Sequence, residues 1–178
     1  MTDVAHPEIR KRILPLSLLL LDVDGVLTDG SIVYTDSGEE IKFFNVRDGL
    51  GLRMLMDAGI AVGIVTGRSS GALLKRCENL GIDLVYHGVK DKRAVLETLL
   101  RDKGLKPEAV AFAGDDLPDI QIMKAVGFPV AVANADSLVK ATALYVTPSA
   151  GGHGAVRDIC ELILKTKGLW PQTLERFL

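Results

Sequence analysis

Cysteine is scarce in this chain: 178 residues hold two, Cys77 and Cys160, with no CxxC pair and no Cys/His pattern of metal spacing. That excludes a disulfide framework and a structural zinc site, and it predicts a reduced, cytoplasmic protein whose thiols are small buried apolar groups. A basic surplus is also missing. Lys and Arg number 21 against 23 Asp and Glu, a formal net charge of -2, so nucleic acid is not an expected partner. No membrane-length hydrophobic run occurs: Ile13 to Leu21 contains Pro15 and ends in acids, far short of a span. The charged Met1 to Leu14 segment has no apolar centre of signal-peptide type, and a soluble, non-exported protein is expected. The glycines form no GxGxxG or GxxxxGK[ST] fingerprint, which removes the common nucleotide-binding loops. His87 and His153 lack partners at metal spacing and read as structural or solvent-facing.

What is present is ordinary in bulk and specific in detail. A 48% hydrophobic and 25% charged composition suits one soluble domain over 1–178 with a sizeable core. Apolar runs of strand length alternate with amphipathic helical segments. Helices are expected over Asp48 to Asp57 with Asp48 as cap, Ser69 to Leu80, Asp91 to Lys103, Pro118 to Ala125, Ser137 to Ala141 and Ala155 to Thr166. Short strands are expected at Leu84 to Tyr86, Pro129 to Val132 and Ala143 to Val146. This rhythm predicts an α/β, Rossmann-like, doubly wound parallel sheet. Residues 31–44 break it with two alternating runs around Asp36-Ser37-Gly38-Glu39, a β-hairpin inserted after the first strand. The tail, Trp170 to Leu178, is expected to extend from the body, with Trp170 as a packing anchor.

Three apolar runs end in chemistry-bearing residues. Leu18 to Leu21 leads into Asp22-Val23-Asp24-Gly25-Val26, Ile60 to Val65 into Thr66-Gly67-Arg68, and Val110 to Gly114 into Asp115 and Asp116, with Asp119 a turn later. As parallel neighbours these strands would gather acids, a hydroxyl and an arginine at one sheet edge. Carboxylates so close either take raised pKa values or bind a hard cation, for which Mg2+ is the best candidate. Such a site suits phosphoryl transfer, with one aspartate as nucleophile and another as proton donor.

In this order, Asp22-Val23-Asp24-Gly25-Val26, Thr66-Gly67-Arg68, the lysine of Asp91-Lys92 and Gly114-Asp115-Asp116-Leu117-Pro118-Asp119 resemble the four motifs of the haloacid dehalogenase superfamily. Thr28-Asp29-Gly30, Phe44-Asn45-Val46-Arg47-Asp48-Gly49-Leu50-Gly51 and Gly151-Gly152-His153-Gly154-Ala155-Val156-Arg157 further resemble its 3-deoxy-D-manno-octulosonate 8-phosphate (Kdo-8-phosphate) phosphatases. The resemblance implies an aspartyl-phosphate on Asp22, with Asp24 as acid and then base. It also implies Mg2+ on Asp22, the Asp24 carbonyl and Asp115, with Asp116 or Asp119 as support. Thr66, the Gly67 N–H and Lys92 would bind phosphate; Lys90 competes with Lys92 for that role.

The resemblance further implies a capless enzyme of lipopolysaccharide precursor synthesis that acts on a phosphorylated sugar acid. Such relatives form homotetramers whose hairpins and tails help enclose neighbouring sites, and Ile32, Val33, Ile41 and Phe43 suit such an interface. Arg68 would face the substrate carboxylate or else pair with a surface acid, while Arg47 and Arg76 read as structural. Other readings are a phosphatase for nine-carbon sugar-acid 9-phosphates, a noncatalytic assembly module and a receiver-like signalling domain. Asp22 and Asp24 share one loop, unlike the acids of a receiver.

Overall fold

The computed structural model describes residues 6–178. Met1 to Ala5, the start of the segment read as lacking an export signal, lie outside the described residues. After helix α1 (Pro7–Ile13), the four leucines of β1 (Leu18–Leu21) are all buried. A strand apolar on both faces belongs inside a parallel sheet covered by helices on both sides. Strand β1 pairs in parallel with β4 (Ala61–Val65) and β6 (Val110–Gly114). Outside them lie β5 (Leu84–Tyr86), β7 (Phe128–Ala131) and β8 (Tyr145–Val146), giving the six-stranded order β5-β4-β1-β6-β7-β8. The winding direction reverses at β1, which places a crevice at its C-terminal end.

Helices α2 (Val46–Asp57) and α7 (Ala155–Thr166) pack along one another with α1 beside them. Helices α4 (Lys92–Lys103), α5 (Ile120–Met123) and α6 (Ser137–Thr142) form a second group. Helix α3 (Gly71–Leu80) stops at Gly81, whose φ of 76° is open to glycine at little cost. Helix α5 is shorter than expected. A 3-10 turn occupies Leu117–Asp119, because the Asp116 and Asp119 side chains cap each other's backbone and tighten the first turn.

Helix α2 begins two residues before the expected start. Its cap is Asn45, whose side chain accepts from the Arg47 N–H at 2.8 Å. Asp48 is instead buried inside the first turn and accepts from the Arg157 N–H at 2.7 Å, tying α2 to the start of α7. A local spacing rule cannot distinguish these roles, since Asp48's partner lies 109 residues away.

The hairpin is present but its ladder is short: β2 (Val33–Tyr34) pairs antiparallel with β3 (Glu40–Ile41). The tail does not extend from the body. Helix α8 (Trp170–Leu174) folds back on α7, with the Trp170 ring 4.7 Å from Lys165 Nζ and 5.7 Å from Arg157 Cζ. The two cations and the core contact of Leu174 hold it there. Trp170 thus anchors the tail as its composition suggested. No helix among the described residues is long and apolar enough to cross a membrane.

Candidate active site

Strand register decides which side chains meet. Leu21 lies opposite both Ile64 and Ala113, and the Asp22 N–H continues the ladder to the Ala113 carbonyl at 3.0 Å. The next residues on all three strands therefore leave the sheet at one level. Asp22, Asp24, Thr66, Arg68, Lys92 and Asp115 border one cleft of about 320 Å³, as do Gly67, Asp116 and Lys90.

Lys92 is the cationic centre of this cleft. Asp91 caps α4 by accepting from Ala94 N–H at 3.0 Å, which sets Lys92 in the first helical turn. A cation there opposes the helix dipole, and its carboxylate partners offset that cost. Lys92 Nζ lies 2.9 Å from Asp22 Oδ1 and 2.6 Å from Asp119 Oδ1, with the residue only 7% exposed. Burial works against the ammonium, but Asp22 and Asp119 outweigh it and raise its pKa above the ordinary lysine value. Lys90 also borders the cleft, so both lysines weighed for phosphate binding are near it. Lys92 is the one held between carboxylates.

Asp119 is fully buried and uses both oxygens. Oδ1 takes Lys92, while Oδ2 accepts from the Asp115 N–H at 3.0 Å and from the Asp116 N–H at 3.4 Å. It is both helix cap and lysine anchor. Asp116 turns away to accept from Leu117 N–H at 2.8 Å.

Asp115 is different, because its Oδ1 is buried with no hydrogen-bond partner. Burial, then the charges of Asp22, Asp119 and Asp116, raises its carboxyl to about 7. Burial likewise pushes Asp22 above the usual carboxylate range, against the pull of Lys92. Asp22, Asp115 and Asp119 each present an oxygen within 4.8 Å of the others. With Asp119 already engaged, Asp22 and Asp115 are the carboxylates able to take a hard, oxygen-seeking cation. The donor set fits Mg2+.

Glycines allow the loop to close around these acids. A Cβ on Gly25 would fall 2.0 Å from Asp115 Oδ2, and one on Gly151 would fall 1.6 Å from the Gly25 carbonyl oxygen. The Gly151-Gly152 pair thus lies directly behind the Asp22–Thr28 loop, with Gly152 N–H donating to the Val26 carbonyl at 3.0 Å and Asn45 Nδ2 to the Gly152 carbonyl at 3.3 Å. The glycine-rich string before α7 and the Asn45 region together brace the first motif.

Thr66 is buried and held on both sides, its N–H donating to Tyr86 and its carbonyl accepting from Val89. Arg68 reaches the hairpin, where Nη2 donates to Glu40 Oε1 at 2.8 Å and to Tyr34 Oη at 3.2 Å. Its Nε lies 3.5 Å from Asp24 Oδ2. The Arg68 hydrogen bond is the first cause that holds Glu40 down at about 2. Arg76 donates to the Asn45 carbonyl at 3.3 Å and sits over Phe44, as a structural arginine does.

Two residues beside the site, Lys42 and Glu40, were missed by sequence reasoning. Lys42 Nζ donates to Asp24 Oδ1 and lies 3.3 Å from Glu40 Oε1. The signal was the hairpin's alternation: if Ile41 and Phe43 face outward, Glu40 and Lys42 face the other way.

The family profile for haloacid dehalogenase-like hydrolases matches residues 82–159, a span that holds Lys92, Asp115, Asp116 and Asp119. The chain is 48% identical over 153 residues to 3-deoxy-D-manno-octulosonate 8-phosphate phosphatase KdsC of Escherichia coli (strain K12), covering 86% of this chain and 81% of that protein. The Salmonella typhimurium protein of the same name is 46% identical over 162 residues, covering 91% of this chain and 86% of that protein. Among solved structures, the 3-deoxy-D-manno-octulosonate 8-phosphate phosphatase of Moraxella catarrhalis, in complex with a magnesium ion, a phosphate ion and a KDO molecule, superposes with a TM-score of 0.94. It is 40% identical, with 97% of this chain and 100% of that chain covered. The Yersinia pestis phosphatase of that name gives a TM-score of 0.91 at 44% identity, covering 93% of this chain and 89% of that one.

Proposed function

Because the chain belongs to the haloacid dehalogenase-like hydrolases and is a phosphatase, we propose that it hydrolyses Kdo-8-phosphate to Kdo and phosphate through an aspartyl-phosphate, with Mg2+ as cofactor. The likeness to Kdo-8-phosphate phosphatases over most of the chain supports the substrate. The observation that carries the chemistry is Lys92 held between Asp22 and Asp119 beside the partnerless Asp115 oxygen.

Asp22 attacks phosphorus, forming its O–P bond as the ester P–O bond breaks, and Asp24 gives a proton to the departing sugar oxygen. Asp24 then takes a proton from the water that attacks the phosphoaspartate, releasing phosphate and restoring Asp22. Thr66, the Gly67 N–H and Lys92 bind the transferring phosphate, and Lys92 also offsets its charge. Asp22, the Asp24 carbonyl and Asp115 would hold the Mg2+, which supplies charge neutralisation to the phosphoryl oxygens. Asp119 anchors Lys92, and Asp116 supports the Asp115 loop. Arg68, at the cleft rim, recognises the sugar carboxylate by charge-assisted hydrogen bonds.

The chain is read as capless, since only the 31–44 hairpin separates the first motif from α2. Ile32, Ile41 and Phe43 are exposed on that hairpin, which supports a homotetramer that buries them. The enzyme would act in the cytoplasm, in lipopolysaccharide precursor synthesis. The deciding measurement is phosphate release from a panel of Kdo-8-phosphate, nine-carbon sugar-acid 9-phosphates and simple sugar phosphates. Highest kcat/KM on Kdo-8-phosphate is expected. Preference for a nine-carbon acid reassigns the substrate, and no release from any ester refutes the catalytic reading.

A further inference from the structure

The polar side of the hairpin is built for something other than holding the hairpin together. The Lys42 side chain is 2% exposed although the residue as a whole is half-buried, while its neighbours Ile41 and Phe43 are exposed residues. Burying an ammonium while leaving apolar groups in water reverses the usual preference and costs desolvation. The compensation lies on the first motif, because Lys42 donates to Asp24 Oδ1 with Glu40 Oε1 at 3.3 Å. Asp24 Oδ2, in contrast, makes no hydrogen bond, and the nearby Arg68 Nε stands off at 3.5 Å. One oxygen of this carboxyl is held by Lys42, the other is buried against Arg68, and the residue itself borders the cleft.

We propose that Lys42 is a positioning residue for proton transfer, holding the Asp24 carboxyl through Oδ1 at the cleft it borders. This rests on the reading of Asp24 as proton donor. In the first half-reaction the carboxyl O–H bond of Asp24 breaks and its proton passes to the bridging ester oxygen. The P–O bond to that oxygen breaks with it, and the Asp22 O–P bond forms. Glu40 has a supporting part: its Oε1 meets both Lys42 and Arg68, which keeps the two cations apart and stops either from turning the Asp24 carboxyl. No catalytic contact with substrate is assigned to Lys42.

The test exploits leaving groups, since an alkoxide needs a proton to depart and a nitrophenolate does not. Lys42→Met, Lys42→Gln, Lys42→Arg and Asp24→Asn are compared with the parent on Kdo-8-phosphate and on 4-nitrophenyl phosphate by kcat/KM. That ratio covers steps through leaving-group departure and omits water activation. General acids contribute about 10²- to 10⁴-fold, so misplacing one by Lys42→Met should lower kcat/KM on the sugar ester about ten- to a hundredfold. The aryl ester should change less than about threefold, and Lys42→Arg should recover much of the loss. Lys42→Gln keeps a donor without the charge, falls between, and carries the test if the Met variant does not fold. Equal losses on both esters, or none, overturn the proposal. If Asp24→Asn shows the split and the Lys42 variants do not, only the proposal fails; if Asp24→Asn lacks the split, the proton-donor reading fails and the proposal with it.

Discussion

Replacing Asp119 with Asn tests whether this acid anchors Lys92 or holds the metal. The change keeps the shape and lets the amide oxygen still accept from Asp115 N–H, but it places an NH2 group or a neutral oxygen against the Lys92 ammonium. In the parent that ammonium lies 2.6 Å from Asp119 Oδ1, and the acid is 0% exposed. A hydrogen bond to a charged group contributes about 1.5–3 kcal/mol, and a cation left partly uncompensated in a buried site adds to the loss. We expect about 2 to 4 kcal/mol of lost stability. For a domain of this size that corresponds to a fall of about 4 to 16 °C in Tm. The assays are thermal unfolding in chelator, where no cation contributes, and Mg2+ titration of phosphate release. Anchoring predicts a lowered Tm and a raised KM for the phosphate ester, with nearly unchanged Mg2+ half-activation. A parental Tm, or a defect confined to Mg2+ half-activation, refutes the reasoning and returns Asp119 to the metal.

Asp22→Asn should abolish turnover if Asp22 is the nucleophile, although the change also takes one carboxylate partner from Lys92; multiple turnover would exclude the covalent route. Chelation should stop phosphate release and Mg2+ should restore it, and activity that survives chelation removes the cation from the mechanism. In chelator, stability should fall as pH rises from about 4 to 7, because Asp115, raised to about 7, and Asp22, raised as well, keep their protons longer folded than unfolded. Glu40, held at about 2, acts with the opposite sign and only below about 4.5. Melting scans across this range check the slope, and a Tm that rises from pH 5 to 7 contradicts it. Arg68→Ala should cost Kdo-8-phosphate about 1.5–3 kcal/mol, ten- to a hundredfold in kcat/KM, and a neutral sugar phosphate less. Equal losses would assign Arg68 to holding Glu40 and Tyr34.

The parts legible in the sequence are those where one strand's own residues settle the matter. Leu18–Leu21 reads as a buried strand, and its apolar run ends where the acids begin. Helix α7 spans Ala155–Thr166 as expected, since its apolar stripe is long and Gly154 precedes it. Misreadings arose where a distant partner decides. Asp48 satisfies Arg157 rather than its own helix end, and the tail is drawn back by Arg157 and Lys165 under Trp170. Lys42 and Glu40 were visible as alternate hairpin residues, but only the folded chain brings them to Asp24 and Arg68. Spacing gives the face a residue occupies; it does not give what waits opposite.

The acids of this cleft rest on supports of unequal strength. Asp22 and Asp115 grow from β1 and β6, which are locked into the middle of the sheet, whereas the hold on Asp24 comes partly from a ribbon with two ladder pairs. Two-stranded ribbons are marginal by themselves and open long before a packed core does. In the chain on its own, warming is therefore expected to withdraw Lys42 while the sheet is intact. If Lys42 positions the proton donor, turnover of alkyl esters should fade at a temperature where an activated aryl ester is still cleaved and the circular dichroism is still native. Any neighbour that covers Ile41 and Phe43 should then raise that first temperature toward the second, which would set the heat tolerance of proton delivery at the outer surface of the hairpin rather than in the core.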